Sequence, residues 1–312
     1  MKKKIISCLL AAMTAAALAG CGSGNTSSGS STASSAGAES ASSGSSAESS
    51  SSSASAESTS SADSSSAEAG DVPEGLEDGV LTVGFDAEYP PYGYMGEDGE
   101  YTGFDLELAQ AVCDLEGWEL EKKPIAWDSK DMELESGSID CIWNGFTMTG
   151  RESEYTFSVP YVDNSQVIVV SESSGIETFE DLAGKTVGVQ AASAALEVLQ
   201  DEEGQKALAD TFASLNEFAD YNTAFTELQA GALDALAIDI GVAKYQLESR
   251  GEGFKMLDET LNSEEYAIAF KLGNESLRDA IDEDLQTLTD DGTVQELAEK
   301  YGIADMLILG AE

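Results

Sequence analysis

The chain has 312 residues, with 15 Lys and Arg against 59 Asp and Glu, no histidine and a formal net charge of −44. The lack of histidine excludes Ser-His and Cys-His catalytic pairs and every metal site that needs imidazole. Because so negative a chain repels phosphate backbones, we expect no nucleic-acid partner. Apolar residues make up 42% of the chain, which is enough for a packed core in one large or two modest domains.

Residues 1–20 are typical of an export signal. Three lysines at positions 2–4 precede an apolar stretch over 5–18, which is too short to span a bilayer comfortably. The stretch ends in Leu18-Ala19-Gly20-Cys21. This ending resembles the lipobox of bacterial lipoproteins, in which the signal is cut before the cysteine and that cysteine takes lipid. The resemblance implies membrane attachment through lipid on Cys21; the alternative is an ordinary signal with a cysteine there by chance.

Residues 21–70 are predicted to be a disordered tether. From Gly22 to Gly70 there are 24 serines and five acids, and no Leu, Ile, Val, Phe, Tyr or Trp. Such a segment has nothing to bury. As a flexible coil it would span about 35–42 Å. This length favours a lipoprotein on the extracellular face of a Gram-positive plasma membrane.

Residues 71–312 contain two cysteines, Cys113 and Cys141, each among apolar neighbours. Two buried free thiols are the expected state, although export would permit a disulfide between them. In the same region 12 Lys and Arg stand against 54 Asp and Glu, a net charge of −42. A surface this negative disfavours glutamate and aspartate as ligands.

Short β-branched runs alternate with amphipathic stretches over 71–312, which predicts an α/β fold. Residues 81–85 are predicted to be a strand, followed by a helix that Asp105 caps, that continues through Cys113 and that ends near Gly117. Residues 185–189 are predicted to be a second strand, followed by a helix over 194–200.

One short pattern, L-x-x-G-x-[IL]-D, occurs twice, at 134–140 and at 228–234. Each copy predicts a helix that ends at a glycine and then an apolar strand, over 141–143 and 235–238. Asn144 and Asp239 follow where those strands end. In open α/β sheets ligands bind outside the carboxyl ends of strands, so two copies indicate two lobes facing one cleft. Chance similarity of two short patterns is the alternative.

The order of further segments resembles one family. These segments are Tyr89-Pro90-Pro91-Tyr92, Gly103-Phe104-Asp105, Thr147-Met148-Thr149-Gly150-Arg151, Phe157-Ser158-Val159-Pro160-Tyr161, the two repeated patterns and Asp291-Gly292-Thr293. In this order and spacing, residues 79–305 resemble extracellular solute-binding proteins of the polar amino acid family, the receptors of ABC-type uptake transporters. The resemblance implies a small amino acid ligand, an ABC transporter permease as membrane partner, no cofactor and a monomer.

The family fold is the two-lobe type II periplasmic binding protein, or venus flytrap, with two crossing hinge strands. The crossings are expected near 164–167 and 266–269. Lobe 1 would then comprise 71–164 and 266–312, and lobe 2 would comprise 165–265. Hinge closure of this kind encloses the solute on all sides.

A free amino acid needs a partner for its carboxylate, and the planar fork of arginine suits it. Of the three arginines in 71–312, only Arg151 follows a predicted strand in a loop; Arg250 and Arg278 lie in charged helical contexts. Arg151 also matches the carboxylate-binding arginine of the family. Gly150 alone separates it from Thr149, one residue fewer than is usual in the family, which leaves the approach of the guanidinium open.

The resemblance assigns further ligand contacts. Asn144, Gly145 and Thr147 match positions that complete the carboxylate and ammonium bonds, and Ser193 matches a serine at a helix start near the carboxylate. Asp239 matches the aspartate that receives the ammonium; the alternative is that it caps the helix at Ile240.

Side-chain selectivity is expected from Asp86, Tyr89 and Trp127. The two aromatics match residues that sandwich the ligand side chain, and Asp86 matches a contact to its tip. A carboxylate there slightly favours a basic side chain, while a glutamine amide and a cystine ammonium stay open. Core packing is the alternative for Tyr89 and Trp127, and it is the expectation for Trp143.

Two other functions compete with amino acid binding. An enzyme on the same fold, such as a cyclohexadienyl dehydratase, needs a general acid or base, and the candidates beyond Asp239 are Asp86 and Glu88. A ligand-sensing receptor domain is disfavoured because no transmembrane or output segment follows within the 312 residues. The sequence therefore predicts a binding protein with no catalytic residue and no metal.

Overall fold

The computed structural model describes Pro73, Leu76 and residues 79–310. All of them lie in one compact unit of the chain, residues 64–312. The predicted signal peptide, the lipidation residue Cys21 and the serine-rich tether lie outside the described residues and stay predictions. No helix in the described part is long and apolar enough to cross a membrane.

The described residues form thirteen strands and eight α-helices. The strands are β1 (Val80–Phe85), β2 (Glu88–Tyr89), β3 (Gly93–Met95), β4 (Tyr101–Thr102), β5 (Glu119–Pro124), β6 (Cys141–Ile142), β7 (Thr156–Phe157), β8 (Val162–Ser171), β9 (Thr186–Gln190), β10 (Ser214–Phe218), β11 (Ala235–Asp239), β12 (Phe254–Tyr266) and β13 (Ala269–Phe270). The helices are α1 (Phe104–Glu116), α2 (Lys130–Glu135), α3 (Ala194–Gln200), α4 (Lys206–Ala209), α5 (Tyr221–Gln229), α6 (Ile240–Arg250), α7 (Glu275–Asp290) and α8 (Thr293–Lys300).

The first five-stranded sheet has the order β5-β1-β6-β13-β7 and defines lobe 1. β1 pairs in parallel with β5 and β6, whereas β13 runs antiparallel to β6 and β7. Leu81, Val83 and Phe85 of β1 are fully buried in the main core with apolar residues of α1 and α7. A central strand covered in this way is apolar along most of its length, which explains the run Val-Leu-Thr-Val-Gly-Phe.

The second five-stranded sheet has the order β10-β9-β11-β8-β12 and defines lobe 2. β9 pairs in parallel with β10 and β11, and β8 runs antiparallel to β11 and β12. Val187 and Val189 of β9 pack with residues of α3 in a separate core cluster. The predicted strands near 81–85 and 185–189 are therefore present, each inside its own sheet.

The repeated pattern has the same structure in both lobes. α2 and α5 end just before Gly137 and Gly231, whose φ angles of 73° and 74° lie in the left-handed region that favours glycine. The aspartate that closes each pattern binds a neighbouring strand of the lobe's sheet: Asp140 accepts the N–H of Thr82 at 2.7 Å, and Asp234 accepts that of Thr186 at 2.8 Å. The final aspartate thus anchors the pattern to the sheet, and the repeat is structural.

β8 and β12 form the connection between the sheets. They pair antiparallel from Val162 opposite Tyr266 to Ser171 opposite Phe254, so β8 runs from the border of lobe 1 into lobe 2 and β12 runs back. The predicted outward crossing at 164–167 lies within β8, and the return predicted at 266–269 begins at the last residue of β12. The lobe boundaries proposed from the sequence stay a prediction.

One local prediction is wrong and two are confirmed. Asp105 does not cap α1: the helix follows Gly103, and the buried Asp105 carboxylate accepts the N–H of Gly145 at 2.5 Å. Burial raises the pKa of Asp105 to about 7, although the Gly145 and Tyr161 hydrogen-bond donors lower it in part. Cys113 and Cys141 are buried and free, and Trp143 is fully buried.

Candidate functional site

A small cavity lies between the two lobes. Its volume is about 10 Å³, enough for at most about one water molecule. The lining comes from both lobes: Tyr89, Trp127, Gly145, Thr147, Arg151, Gln190, Ser193, Ala194 and Asp239. The lobes are therefore closed on each other, and an amino acid can enter only if they separate.

Seven of the nine ligand contacts expected from the sequence line this cavity. Asp86 and Asn144 do not, but Asp86 is hydrogen-bonded both to Asn144 and to Gln190 of the lining. Gln190 Nε2 donates to Asp86 Oδ2 at 2.6 Å, and the N–H of Asp86 donates to Asn144 Oδ1 at 2.9 Å. Gln190, which the sequence reasoning missed, is the last residue of β9, where the carboxyl-end rule could have found it.

Arg151 reaches the cavity from the loop that follows β6, despite the one-residue shortening before it. Its side chain is buried, and its guanidinium carbon lies 4.8 Å from the centre of the Phe146 ring. Glu197 of α3, in lobe 2, holds one edge of the guanidinium: Arg151 Nε donates to Oε2 at 3.1 Å, and Nη2 lies 2.8 Å from Oε1. Among the described residues, the other edge contacts only the Thr147 carbonyl, 3.5 Å from Nη1. Nothing in the sequence pattern indicates Glu197 as a partner.

The two hydroxyls expected at the site, those of Thr147 and Ser193, already donate hydrogen bonds to other groups of the protein. Thr147 Oγ1 donates to Glu264 Oε1 at 2.8 Å, so only its lone pairs remain for a ligand. Ser193 Oγ donates to the Gln190 carbonyl at 2.8 Å and accepts the N–H of Leu196 at 3.2 Å as the N-cap of α3. Neither hydroxyl has a hydrogen left to give to a ligand carboxylate.

Asp239 ends β11 and is nearly fully buried. Asp239 occupies the N-cap position of α6, as the alternative expected, but its side chain makes no capping hydrogen bond. Three side chains donate to Asp239 Oδ1: Asn164 Nδ2 at 2.9 Å, Gln166 Nε2 at 2.5 Å and Tyr266 Oη at 2.5 Å. The hydroxyl of Tyr221 is 3.4 Å from Oδ2. These bonds hold the carboxylate toward the hinge strands.

A second buried carboxylate, Glu264 of β12, lies beside Asp239. Its Oε1 accepts from the same two amides, Asn164 at 2.7 Å and Gln166 at 2.8 Å. Burial, and after it the charge of Asp239, raises the pKa of Glu264. The sequence reasoning missed Glu264. Its spacing of two from the buried Tyr266, which places both on one face of the strand, is the signal that could have found it.

The aromatic end of the cavity is formed by Tyr89 and Trp127. Their rings are nearly parallel, with an interplanar angle of 9° and centroids 6.4 Å apart. Because carbon atoms in contact lie about 3.5–4 Å apart, a group between the rings needs about 7 Å or more. Lys130 Nζ lies 5.4 Å from the Trp127 ring and donates across the lobes to the Ala192 carbonyl at 3.1 Å. Burial raises the pKa of Asp86 to about 6.

This arrangement of two lobes and an interlobe site is shared with a known family. The profile of the family "Bacterial extracellular solute-binding proteins, family 3" matches residues 81–304. The chain belongs to this family. It is 32% identical over 234 residues to the L-cystine-binding protein TcyJ of Escherichia coli K12, a match that covers 74% of this chain and 85% of that protein. It is 30% identical over 224 residues to the arginine-binding extracellular protein ArtP of Bacillus subtilis, covering 71% and 85%.

Solved structures agree with the two-lobe type II fold. The structure of an ABC uptake transporter substrate-binding protein from Streptococcus pneumoniae with bound histidine is similar, with a TM-score of 0.70 and 35% identity over 72% of this chain and 93% of that one. The ancestral amino acid-binding protein AncCDT-1, a precursor of cyclohexadienyl dehydratase, has a TM-score of 0.66 and 29% identity over 72% and 96%. The expected fold class is thereby confirmed.

Proposed function

We propose that this protein captures a polar L-amino acid between its two lobes and delivers it to an ABC-type importer in the membrane. One observation carries the proposal: a buried arginine of lobe 1, Arg151, and a buried aspartate of lobe 2, Asp239, line the same closed cavity. A free amino acid carries a carboxylate and an ammonium on one carbon, and enclosing both charges requires partners of opposite charge.

Each end of the cavity suits one of these charges. The Nη1 edge of Arg151, which Glu197 leaves open, would bind the carboxylate. The lone pairs of Thr147 and the carboxylate of Asp239 would accept from the ammonium, because the Thr147 hydrogen is held by Glu264. Residues of both lobes would thus bind one small solute, so its presence favours closure.

The charge around the cavity favours a basic side chain. Asp86, Asp239 and Glu264 are buried at or behind its walls, whereas the buried cations are Arg151 and Lys130. With the pKa of Asp86 near 6, that carboxylate is mostly ionised at neutral pH and would attract a guanidinium or ammonium between Tyr89 and Trp127. Arginine-binding relatives such as ArtP are consistent with this choice.

Cystine is the second candidate, and Lys130 is the observation that favours it. This buried ammonium lies beside Trp127, and burial lowers its pKa although the charges of Asp131 and Glu197 raise it in part, so a closer anionic partner would stabilise its charged form. Cystine has a second carboxylate that could supply that partner, as no basic amino acid does. The cystine-binding relative TcyJ supports the same choice.

Binding fits the site better than catalysis. Asp86, a candidate general acid or base, has both oxygens engaged, with the Glu88 N–H and the Gln190 amide. Glu88, the other candidate, accepts from the Asn222 amide across the lobes. Asp239 is held by three donors. Each carboxylate is therefore fixed by hydrogen bonds, which suits a binding pocket more than proton transfer to a substrate.

The cellular setting follows from the N-terminal sequence. A lipid on Cys21, a serine-rich tether over 22–70 and a monomeric receptor on the outer face of a Gram-positive membrane make one consistent arrangement. Growth with labelled palmitate should label the unaltered chain and leave a Cys21→Ala variant unlabelled. An unaltered chain without label would rule out the lipid anchor.

A thermal-shift screen of the twenty amino acids with ornithine and cystine tests the binding function. At a ligand concentration 100 times Kd, binding stabilises the folded state by about 2.7 kcal/mol. In a protein of this size that corresponds to roughly 5–11 °C in Tm. If Asp86 binds the side chain of the ligand, arginine, lysine or ornithine should give the largest shift in Tm. If Lys130 binds a second carboxylate, cystine should give the largest shift. A screen with no shift would overturn the proposed function.

A further inference from the structure

Two buried carboxylates share their hydrogen-bond donors where the hinge strands meet the cavity. Asn164 Nδ2 and Gln166 Nε2 each lie within 2.9 Å of both Asp239 Oδ1 and Glu264 Oε1. Glu264 is bonded in addition to Thr147, which lines the cavity, and to Asn262 Nδ2 through Oε2 at 2.8 Å. The two acids therefore belong to one hydrogen-bond network, and that network reaches the ligand site.

No cation of the described residues neutralises this pair. The groups that face it are Asn164 and Gln166 of β8, Tyr221 of α5, Tyr266 and Asn262 of β12, and Thr147, Tyr89 and Tyr92 of lobe 1. All of them are neutral, since burial holds the pKa of each of the four tyrosines well above 10. None of the ion pairs between residues 79 and 310 involves Asp239 or Glu264, and Arg151 is paired with Glu197. Two like charges buried this close cannot both be ionised without a large cost.

We propose that Glu264 is a second acidic residue of the ammonium half-site, and that amino acid binding expels the proton that Glu264 carries in the closed, empty cleft. The ligand ammonium keeps its own protons and bonds to Asp239 and Thr147. Its positive charge then permits Glu264 to ionise, and the Glu264 proton leaves to the buffer. This inference rests on the proposed function, because it assigns a further residue to the same site.

The proton exchange has a pH signature. At a pH where free Glu264 is protonated and bound Glu264 is not, one proton leaves for each ligand, so the association constant rises tenfold per pH unit. Above the pKa of free Glu264 the rise stops. In Glu264→Gln the rise from this site is absent, while the amide can still accept from Thr147. A purely structural role for Glu264 would change the affinity but leave this slope in place.

The first measurement needs no ligand. The Tm of the unliganded wild type is compared with that of Glu264→Gln from pH 5 to pH 8. A carboxyl whose pKa is raised by folding contributes stability below its unfolded value, and that contribution is lost as the pH rises through the folded pKa. Glu264→Gln should therefore gain Tm relative to wild type as the pH rises. Glu265→Gln, which removes the same charge from the exposed neighbouring position, should show no such gain. Parallel curves for wild type and Glu264→Gln would overturn the inference.

The second measurement is calorimetric titration with L-arginine, and with L-cystine, in buffers of different ionisation enthalpy at pH 6. The wild type and Glu265→Gln should release a proton per ligand, and Glu264→Gln should not. Asp86 also titrates near this pH, so Asp86→Asn is included. Release that persists in Glu264→Gln and disappears in Asp86→Asn would overturn the inference and leave amino acid binding intact. If neither probe binds while the ligand-free Tm curves differ as expected, arginine and cystine fail as ligands and the proton on Glu264 stands; the proposed function itself fails only if the whole amino acid screen gives no shift in Tm.

Discussion

The two charged ends of the interlobe cavity are built differently. The cationic end is one side chain, Arg151, on a short loop of lobe 1, with its ion-pair partner Glu197 supplied by lobe 2. The acidic end is a network in which Asp239 and Glu264 share amides from the hinge strand β8. The cationic end is therefore completed by closure itself, whereas the acidic end lies where the lobes are connected.

The difference indicates how the cleft can favour an amino acid. An arginine that is already paired loses little when the cleft is empty, because Glu197 keeps one guanidinium edge satisfied. A pair of acids without a cation is costly when empty and is relieved by an ammonium. Selection for a free α-amino group should therefore come chiefly from the acidic end, and anchoring of the carboxylate from the cationic end.

Removing the guanidinium should have the largest effect. Arg151→Ala strands the ligand carboxylate in an enclosed site, and losing one partner of a buried charge pair costs about 3–5 kcal/mol. We expect at least a hundredfold loss of affinity by calorimetry for the amino acid identified in the screen. Arg250→Ala is the matched control, because that arginine lies on the exposed end of α6 and packs over Phe225. Micromolar affinity retained in Arg151→Ala would remove Arg151 from the site.

Another buried acid, Asp105, supports the cavity lining at Gly145. Its carboxylate holds the N–H of Gly145, and its pKa is raised from 3.8 to about 7. Because the folded value lies above the unfolded one, the contribution of Asp105 to stability is present near pH 4 and is lost as the pH rises toward 7. Between pH 5 and pH 7 the loss should be roughly 2 kcal/mol.

Unfolding by urea in that pH range measures this loss. Asp105→Asn keeps an oxygen that can accept from Gly145 but has no charge, so its free energy of unfolding should fall less steeply with pH than that of the wild type. Asp114→Asn, on the exposed face of the same helix, should follow the wild-type curve. Equal slopes for wild type and Asp105→Asn would show that Asp105 does not titrate in this range.

Closure brings the two ends together, and Gly241 sets how far the lobes approach. A Cβ at this position of α6 would overlap the hydroxyl of Tyr92, which is fully buried and packs against Tyr266. We expect Gly241→Ala to weaken binding by ten- to a hundredfold, because such overlap costs roughly 1–3 kcal/mol in the closed state. Small-angle scattering of the variant with ligand should show a larger radius of gyration than that of the wild type.

A second substitution tests that cause. The Tyr92 hydroxyl has no hydrogen-bond partner among the described residues, so Tyr92→Phe should cost little by itself. In the double variant Gly241→Ala/Tyr92→Phe the overlapping oxygen is gone, and part of the affinity should return. If the double variant binds no better than Gly241→Ala, the overlap with the Tyr92 hydroxyl is not the reason that Gly241→Ala weakens binding.

The two ends also differ in how far the sequence predicts them. Arg151 stands out as the only arginine after a predicted strand, and Asp239 as a carboxylate after an apolar run; both line the cavity. The repeated pattern predicts two sheets because glycine and the final aspartate have local structural reasons. Glu264 lies in a polar stretch that is typical of a surface, and Glu197 is an isolated acid on an otherwise mostly apolar helix. The burial of the first and the pairing of the second depend on partners far away in the chain. Asn164 is 100 residues from Glu264, and Arg151 is 46 from Glu197. The first contact follows from the pairing of the hinge strands and the second from lobe closure, and no local pattern encodes either.

The smallest effect should come from Glu197→Gln, which tests whether the cationic end is completed by closure. Glu197 is 57% exposed, so its ion pair with Arg151 is screened by solvent and contributes about 1 kcal/mol or less. Because the pair forms between lobes, its loss should weaken ligand binding by at most about fivefold and reduce the salt dependence of the affinity between about 0.05 and 0.5 M NaCl. Glu202→Gln, an exposed acid of the same lobe, should leave both unchanged. Tighter binding by Glu197→Gln would mean instead that Glu197 competes with the ligand carboxylate for the guanidinium. Without ligand, Glu197 would then neutralise Arg151 at the cationic end, as the proposed proton neutralises Glu264 at the acidic end.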